Sequence, residues 1–406
     1  MAGGVVVIGA GHAGGVAVDA LRTEGYQGPI TLVGDEASLP YQRPPLSKGY
    51  LLEEVSRDQL FLRPADFYSV KDIGLIDNNR AVAIDRAAQT VRLGDGASLP
   101  YDHLVLATGA RPRLLDVAGA DLAGIHVLRT LADVDAIRTD MEDADTCAVV
   151  GGGFIGLEIA AVLTKLGKSV AIVEAADRLM GRAVSVEVSD YFLNLHRSRG
   201  AVVHLSAGVT GFHGRDGRVS QVDTSTGPID ADLVIVGIGV IPNDQLASEA
   251  GLTVERGILV DTSGRTDDPA IFAIGDCCVL DHALYPDPIR LESVQNAVDQ
   301  AKLIAAAISG KEPTYSAIPW FWSDQFDVKL QIAGLSRPGQ ETLAYHDAES
   351  GTLAVYHFDQ DRLAAAETVN RARDHMSARR LIGSDTPPGR AEVEAAGGDL
   401  KPLLKR

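Results

Sequence analysis

Two stretches of the chain carry the same pattern of apolar and polar positions. Val5-Val6-Val7-Ile8 is an unbroken apolar run. Glycines follow at 9, 11 and 14, then a segment with apolar residues at helical spacing, then a second apolar run near 29–34. Cys147-Ala148-Val149-Val150 begins the same order of events, with glycines at 151, 153 and 156 and a second apolar run at 169–174. Unbroken rather than alternating runs predict strands buried on both faces, as in a parallel sheet. The pattern therefore predicts strand 4–9, helix 13–24 and strand 29–34, and again strand 146–151, helix 154–166 and strand 169–174. Gly25 and Gly167 stand where a glycine ends a helix.

Between and after these units the pattern changes. Residues 80–93 alternate, whereas 101–109, 233–239 and 271–276 read as buried strands, each ending at glycine. A helix is predicted from about 293 to 308, followed by a proline-rich, aromatic junction from Pro313 to Trp322. Strand-like segments at 328–335, 342–346, 352–358 and 362–369 and a basic, helical end suggest an α+β domain. The expected division is a discontinuous first domain, 1–111 with 242–316, a second domain, 112–241, and a third, 317–406. The repeat is a duplicated fold rather than a solenoid.

Each glycine cluster reads G-x-G-x-x-G between a strand and a helix. Glycine lets the backbone approach a pyrophosphate, and the helix N-terminus favours its charge. Two such units suggest two dinucleotides bound together, with electrons passing between them. Glu174 ends its strand 23 positions after Gly151, where a carboxylate accepts the ribose hydroxyls of adenosine and repels a 2′-phosphate. That favours NADH over NADPH, although Arg178 and Arg182 lie close in sequence. In the first unit Asp35 follows Gly9 by 26 positions, with Glu36 as the competing candidate. Ile271-Phe272-Ala273-Ile274-Gly275-Asp276 delivers a carboxylate at the C-terminal end of a strand, where it can bind the ribityl hydroxyls of a flavin. Ala107-Thr108-Gly109 ends another strand in a tight turn.

Composition narrows the function. Hydrophobic residues make up 46% of 406 residues, enough for sizeable cores, and the net charge is −18. That field opposes nucleic acid and anionic membrane as main partners. Three cysteines, Cys147, Cys277 and Cys278, are too few for a four-cysteine iron–sulfur cluster, and no metal-ligand motif is present. The N-terminal sequence enters a strand without a signal-peptide pattern, and the apolar stretch 148–163 is broken by Glu158 and glycines. A cytoplasmic protein is expected.

The chain resembles the two-dinucleotide flavoproteins. Within them it is most similar to the ferredoxin reductases of bacterial P450 and aromatic-ring dioxygenase systems. The resemblance rests on Gly34-Asp35-Glu36 with Pro40-Tyr41-Gln42-Arg43-Pro44-Pro45-Leu46-Ser47-Lys48, on Leu128-Arg129-Thr130-Leu131 and on Gly151 through Glu158. It continues through Gly237 to Asn243, Gly275-Asp276-Cys277, Glu292 to Ala297, and Pro319-Trp320-Phe321-Trp322-Ser323-Asp324-Gln325. It implies a glutathione reductase-like architecture: two Rossmann-like, doubly wound dinucleotide-binding domains plus a C-terminal α+β domain. It also implies FAD and NADH as cofactors. Ala13, Asp35, Lys48, Val82, Arg129, Asp276 and Val294 would line FAD, with Gly9, Gly11, His12, Gly14, Glu36, Arg43, Ala107, Thr108, Gly109, Gly275 and Ser293 beside them. Gly151, Gly153, Ile155, Gly156, Glu174, Arg182 and Gly239 would hold NADH. Lys48 would lie near the flavin N5, paired with Glu158. Phe154 would cover the flavin face and move aside for nicotinamide, and Trp322 would stand at the exposed flavin edge. Without the resemblance, Lys48 reads as a surface lysine, Phe154 as core filling and Trp322 as a junction residue.

The implied reaction is hydride transfer from NADH to FAD, followed by one-electron transfers to a separate, acidic [2Fe-2S] ferredoxin. A flavin disulfide reductase would need a redox cysteine in the first unit, and none occurs between Met1 and Thr146. An NADH oxidase, or a redox-sensing binding protein of the apoptosis-inducing-factor kind, stays open as an alternative. For docking, Lys302, Lys329, Arg337, Arg371, Arg373, Arg379 and Arg380 are candidates for a basic patch on an acidic body.

Overall fold

The computed structural model describes residues 3–405. The described residues form two compact units, one of residues 3–43, 56–111 and 240–317, the other of residues 44–55, 112–239 and 318–405.

The first unit is built on a five-stranded parallel sheet in the order Ile271–Ala273, His103–Leu106, Val5–Ile8, Ile30–Val33, Ile73–Ile76. Val5 pairs with both Ile30 and His103, so the first apolar run occupies the centre of the sheet. Its four residues are buried on both faces, which is why the run does not alternate. The helix His12–Thr23 packs on the helix Val294–Ile308 through Ala17, Val18 and Leu21 against Ala297, Ala301 and Ile304. Alanines let these helices approach closely. The first helix ends at Thr23, and Gly25 follows at φ +90°, the left-handed position that glycine takes without strain.

The second unit repeats the plan. Its parallel sheet runs Val202–His204, Ser169–Val173, Thr146–Val150, Leu233–Val236, Ile125–Val127. The central strand is again the one that leads into a glycine cluster, and the helix Phe154–Lys165 follows it. The same unit carries a five-stranded antiparallel sheet, Trp320–Gln325, Val328–Gly334, Arg362–Val369, Thr352–Asp359, Glu341–Asp347. The helix Ala372–Ile382 covers this sheet, with Ala378, Leu381 and Ile382 against Tyr356, Phe358 and Ala366. The architecture is thus α/β, with two Rossmann-like parallel-sheet cores and a C-terminal antiparallel-sheet region.

Three departures from the sequence pattern stand out. The junction ending at Trp322 is in part a strand, Trp320–Gln325. Its buried positions are Ser323 and Gln325, so polar residues occupy the inward face and hide the alternation. The sequence pattern does not set the helices Leu131–Asp143 and Val186–Ser198 apart from their surroundings. Nor does it mark the three-stranded sheet Val209–Arg215, Arg218–Thr224, Gly227–Asp230, whose buried Phe212, Val219 and Val222 lie among exposed and half-buried positions without strict alternation.

Candidate functional site

Both glycine clusters shape the same kind of turn. Gly9 has φ +110° and Gly151 has φ +108°, conformations costly for a side chain. A Cβ on Gly14 would lie 1.9 Å from the Gly9 carbonyl oxygen, and one on Gly156 would lie 2.2 Å from that of Gly151. These two glycines let each helix start directly over the turn. The middle glycines differ: nothing lies within 4 Å of a Cβ built on Gly11 or Gly153. Gly11 and Gly153 are the N-caps of their helices, and neither helix has a side-chain cap. By contrast, Thr130, Ser185 and Ser293 cap the helices that follow them. Each fingerprint thus leaves amide donors and a positive helix end facing open space, the arrangement a pyrophosphate requires.

In the first unit a cleft of about 310 Å³ opens beside Gly9. Asp35, Val82, Thr108 and Asn243 line it, together with Arg80 and Arg111. Asp35 is exposed, and Val82 is an exposed apolar residue at 40%. Glu36, the competing acid, is engaged elsewhere: it lies 2.7 Å from Arg43 Nη2 and accepts from the Tyr41 hydroxyl at 2.6 Å. Glu36 is thus occupied by neighbouring side chains, whereas Asp35, the first candidate by spacing, lines the cleft. Thr108 is fixed by exchange with Asn243, its hydroxyl donating to the Asn243 carbonyl at 2.6 Å and its carbonyl accepting from Nδ2 at 2.9 Å. Ala107 is buried and Gly109 has φ +64°. Gly275, φ +78°, packs by Ala13, which brings Asp276 to the start of the first fingerprint helix. The Gly275 amide donates to buried Gln300 at 2.6 Å. His12 has a buried Nδ1 with no partner, and burial pushes its pKa down. Ser293 caps the helix that begins at half-buried Val294. Nothing in the sequence pattern assigns Arg80, Arg111, Asn243 or Gln300 to this site. Only the position of Asn243 after a strand-ending glycine-proline run hinted at it.

In the second unit Glu174 accepts from the Gly152 amide at 2.6 Å and from the Ala176 amide at 2.7 Å. Arg178 is turned to its own loop, donating to the carbonyls of Val184 and Gly181. Arg182 is exposed and reaches toward Gly239, φ +107°. Ile155, on the first turn of the fingerprint helix, is 43% exposed, and Phe154 packs at a tilt against Phe321 with ring centroids 4.6 Å apart. Arg129 is half-buried, and its amide donates to Asp133 at 2.9 Å.

The same unit holds a charge pair between half-buried Lys48 and a buried carboxylate. Lys48 Nζ lies 2.6 Å from Glu158 Oε2, and the Glu158 side chain is 5% exposed. Ser47 also donates to Oε2, at 2.6 Å, and Ser323 donates to Oε1 at 2.7 Å. A buried carboxylate so surrounded has both oxygens satisfied.

Trp322 and Trp320 lie side by side, 5.5 Å between ring centroids, and the Arg379 guanidinium sits 4.6 Å over Trp320. His375, 2% exposed, meets Trp320 edge-on and has no hydrogen-bond partner at either nitrogen. Burial first, then Arg379, push its pKa down to about 4. A base with its folded pKa below the free value of about 6.5 leaves the unfolded chain holding the extra proton between the two. Stability is therefore full above about pH 6.5 and falls as pH drops toward 4. His375→Phe is expected to flatten that fall by about 2 kcal/mol, read from urea midpoints at pH 7 and pH 4.5. An unchanged pH slope contradicts it.

All three thiols, Cys147, Cys277 and Cys278, are buried and unbridged. Burial pushes the Cys147 thiol up to about 11 and raises those of Cys277 and Cys278 as well. Thiols of this kind are poor nucleophiles. Among the described residues no helix is long and apolar enough to cross a membrane.

Two parallel sheets, each sending an uncapped glycine-led helix from its central strand, define a protein that binds two dinucleotides. Residues 3–301 match the pyridine nucleotide-disulphide oxidoreductase family, and the chain belongs to it; residues 320–404 match the reductase C-terminal family. It is therefore an oxidoreductase whose cofactors are FAD and NADH. The chain is 46% identical to rhodocoxin reductase of Rhodococcus erythropolis, over 99% of this chain and 94% of that protein. It is 41% identical, with TM-score 0.96, to the ferredoxin reductase for the CYP199A2 system from Rhodopseudomonas palustris, covering 99% of both chains. It is 38% identical, also with TM-score 0.96, to putidaredoxin reductase in its covalent complex with putidaredoxin, over 99% of this chain and 98% of that one.

Proposed function

We propose that this chain is an NADH-dependent ferredoxin reductase that supplies a cytochrome P450 or a ring-hydroxylating dioxygenase through a [2Fe-2S] ferredoxin. The state of the three thiols carries this reading: all are buried with raised pKa, so the chain has no disulfide relay and its electrons must leave to a separate carrier. Full-length likeness to reductases of ferredoxin systems supports it. Buried free thiols also suit the reducing cytoplasm, where we place the protein.

Bound FAD supplies acceptance of a hydride from NADH and stepwise release of single electrons. The chain's residues hold, orient and dock. The amides after Gly11 face one pyrophosphate and those after Gly153 the other. Asp35 and Asp276 take ribose and ribityl hydroxyls, and Thr108 and Val82 flank the adenosine. Arg43 and the start of the 294–308 helix add positive charge in the first unit. Glu174 takes the adenosine ribose of NADH and repels a 2′-phosphate. Arg178, bound to its own loop, is withdrawn from phosphate recognition. Lys48, held by Glu158, places its ammonium where negative charge develops as the hydride arrives. Exposed Ile155 and half-buried Phe154 offer an apolar cover.

The outer face of the helix Ala372–Ile382 is the proposed docking face. Arg373 and Arg380 are exposed, Met376 is 59% exposed, and Arg379 overlies Trp320, whose neighbour is Trp322. Lys302 and Lys329 are exposed and Arg337 is half-buried. Arg371 serves the interior instead, 2.7 Å from Asp374 and bonded to the Gly398 carbonyl. A local basic patch on a body of net charge −18 selects an acidic partner.

NADH oxidation measured with [2Fe-2S] ferredoxin, with oxygen alone and with NADPH in place of NADH tests the proposal. Ferredoxin-dependent turnover with NADH, at least tenfold faster than with NADPH, is expected. Arg373→Glu with Arg380→Glu is expected to slow ferredoxin reduction about tenfold or more while ferricyanide reduction stays within twofold. Fast oxygen consumption that ferredoxin does not change would identify an NADH oxidase instead.

A further inference from the structure

The aromatic strand Trp320–Gln325 carries more than tryptophans. Its pleat sends Phe321, Ser323 and Gln325 to one face. Two of these residues meet the helix Phe154–Lys165 at positions one turn apart. Phe321 packs at a tilt against Phe154, and Ser323 reaches Glu158. Gln325, one pleat further on, reaches His196 near the end of the helix Val186–Ser198. Ser323, Gln325, Glu158 and His196 are all buried, the histidine fully.

Hydrogen-bond directions in this row are fixed by chemistry. Glu158 accepts at Oε2 from Lys48 and Ser47 and at Oε1 from the Ser323 hydroxyl. The Ser323 oxygen accepts from Gln325 Nε2 at 3.3 Å. The amide oxygen of Gln325 then faces His196 Nε2 at 2.9 Å, so that nitrogen carries the proton. His196 Nδ1 is the bare nitrogen, buried without a partner. Burial lowers the pKa of His196, consistent with a neutral ring. Every donor from His196 to Ser323 therefore points at the carboxylate. The row ends inside the protein, at a fully buried ring, so it is not a path to solvent.

We infer that Ser323, Gln325 and His196 are positioning residues for the Lys48–Glu158 pair: a one-way chain of donors from the C-terminal sheet fixes the Glu158 carboxylate, and through it the Lys48 ammonium. Without Ser323, Oε1 loses its donor and the carboxylate is free to turn about its side chain. Lys48 turns with it, because its ammonium is held by the short bond to Oε2 at 2.6 Å and only by a longer one to the Pro44 carbonyl at 3.3 Å. Lys48 cannot be placed by its own stem, which is long and rich in rotamers. The inference rests on the proposed role of Lys48 and adds to it the residues that hold the group in place.

A double-mutant cycle on the FAD-loaded protein tests it. Ser323→Ala is expected to slow anaerobic flavin reduction by NADH about tenfold, to leave the KM for NADH within twofold, and to lower the flavin midpoint potential in the same sense as Lys48→Met. Ser323→Thr keeps the hydroxyl and is expected to restore both rate and potential. Gln325→Glu keeps the shape of the side chain but replaces its donor with an acceptor, so it should reproduce the Ser323→Ala loss. Ser323→Ala combined with Lys48→Met should be no slower than Lys48→Met alone. Independent, multiplying losses overturn the positioning role while leaving the role of Lys48 standing. If Lys48→Met itself changes neither rate nor potential, the proposed role of Lys48 fails, and the positioning role with it. Wild-type behaviour of both Ser323→Ala and Gln325→Glu, with Lys48→Met impaired, overturns the positioning role alone.

Discussion

Gly14→Val is expected to give a protein that purifies without a yellow chromophore, and Gly156→Val a yellow protein that NADH no longer bleaches. The two glycines occupy equivalent places in the duplicated unit. At each, a Cβ would fall 1.9 Å or 2.2 Å from the carbonyl oxygen of the glycine that opens the turn. Backbone cannot yield there as a flexible side chain would, so the helix must lift away from the turn. Its amide donors then no longer converge on a pyrophosphate. FAD occupancy should fall at least tenfold in the first variant. In the second, reduction by NADH should slow at least a hundredfold while dithionite still bleaches the flavin. Gly11→Ala and Gly153→Ala are the controls: neither added methyl meets protein atoms within 4 Å, so both should fold and lose only cofactor affinity. Circular dichroism separates a lost site from a lost fold. Normal flavin content in folded Gly14→Val would contradict the assignment of the first unit.

Glu367→Leu is expected to destabilise the protein by about 3–5 kcal/mol, among the largest losses any single substitution should cause. Glu367 is fully buried in the antiparallel sheet. It accepts from the Ser185 amide at 2.9 Å, from the Ser185 hydroxyl at 2.7 Å and from His357 Nε2 at 2.9 Å. Ser185 in turn caps the helix Val186–Ser198. One carboxylate thus joins that helix's start to the sheet, while Gln325 joins its end through His196. Removing it strands three donors, the His357 nitrogen buried and the Ser185 amide and hydroxyl half-buried, each costly without a partner. Glu367→Gln preserves shape and an acceptor and should lose less than half as much. Guanidinium unfolding midpoints of the three proteins decide it, and a leucine variant within 1 kcal/mol of the parent contradicts it.

Much of this was legible in the chain because the governing residues act locally. Unbroken apolar runs announced strands buried on both faces, and the glycine spacing announced two uncapped helix starts. What sequence could not separate depends on contacts between distant segments. Asp35 and Glu36 are adjacent and chemically alike; only the approach of Arg43 and Tyr41 to Glu36 tells them apart. Ser323 and Gln325 broke the alternation that marks a strand because the inward face needed donors for Glu158 rather than apolar bulk. Arg371 looked like surface charge until Asp374 and Gly398 claimed it. Arg80 and Arg111 gave no signal, because what sets them at the cleft is the return of the chain at Asn243 and Leu246.

The central claim is that one chain grips FAD and NADH together so that electrons pass from the second to the first. Anaerobic titration of the purified, FAD-loaded protein with NADH tests it most directly. Loss of the flavin absorbance with one equivalent of NADH is the predicted result. A protein that takes up no FAD, or a bound flavin that stays oxidised under excess NADH, would contradict it.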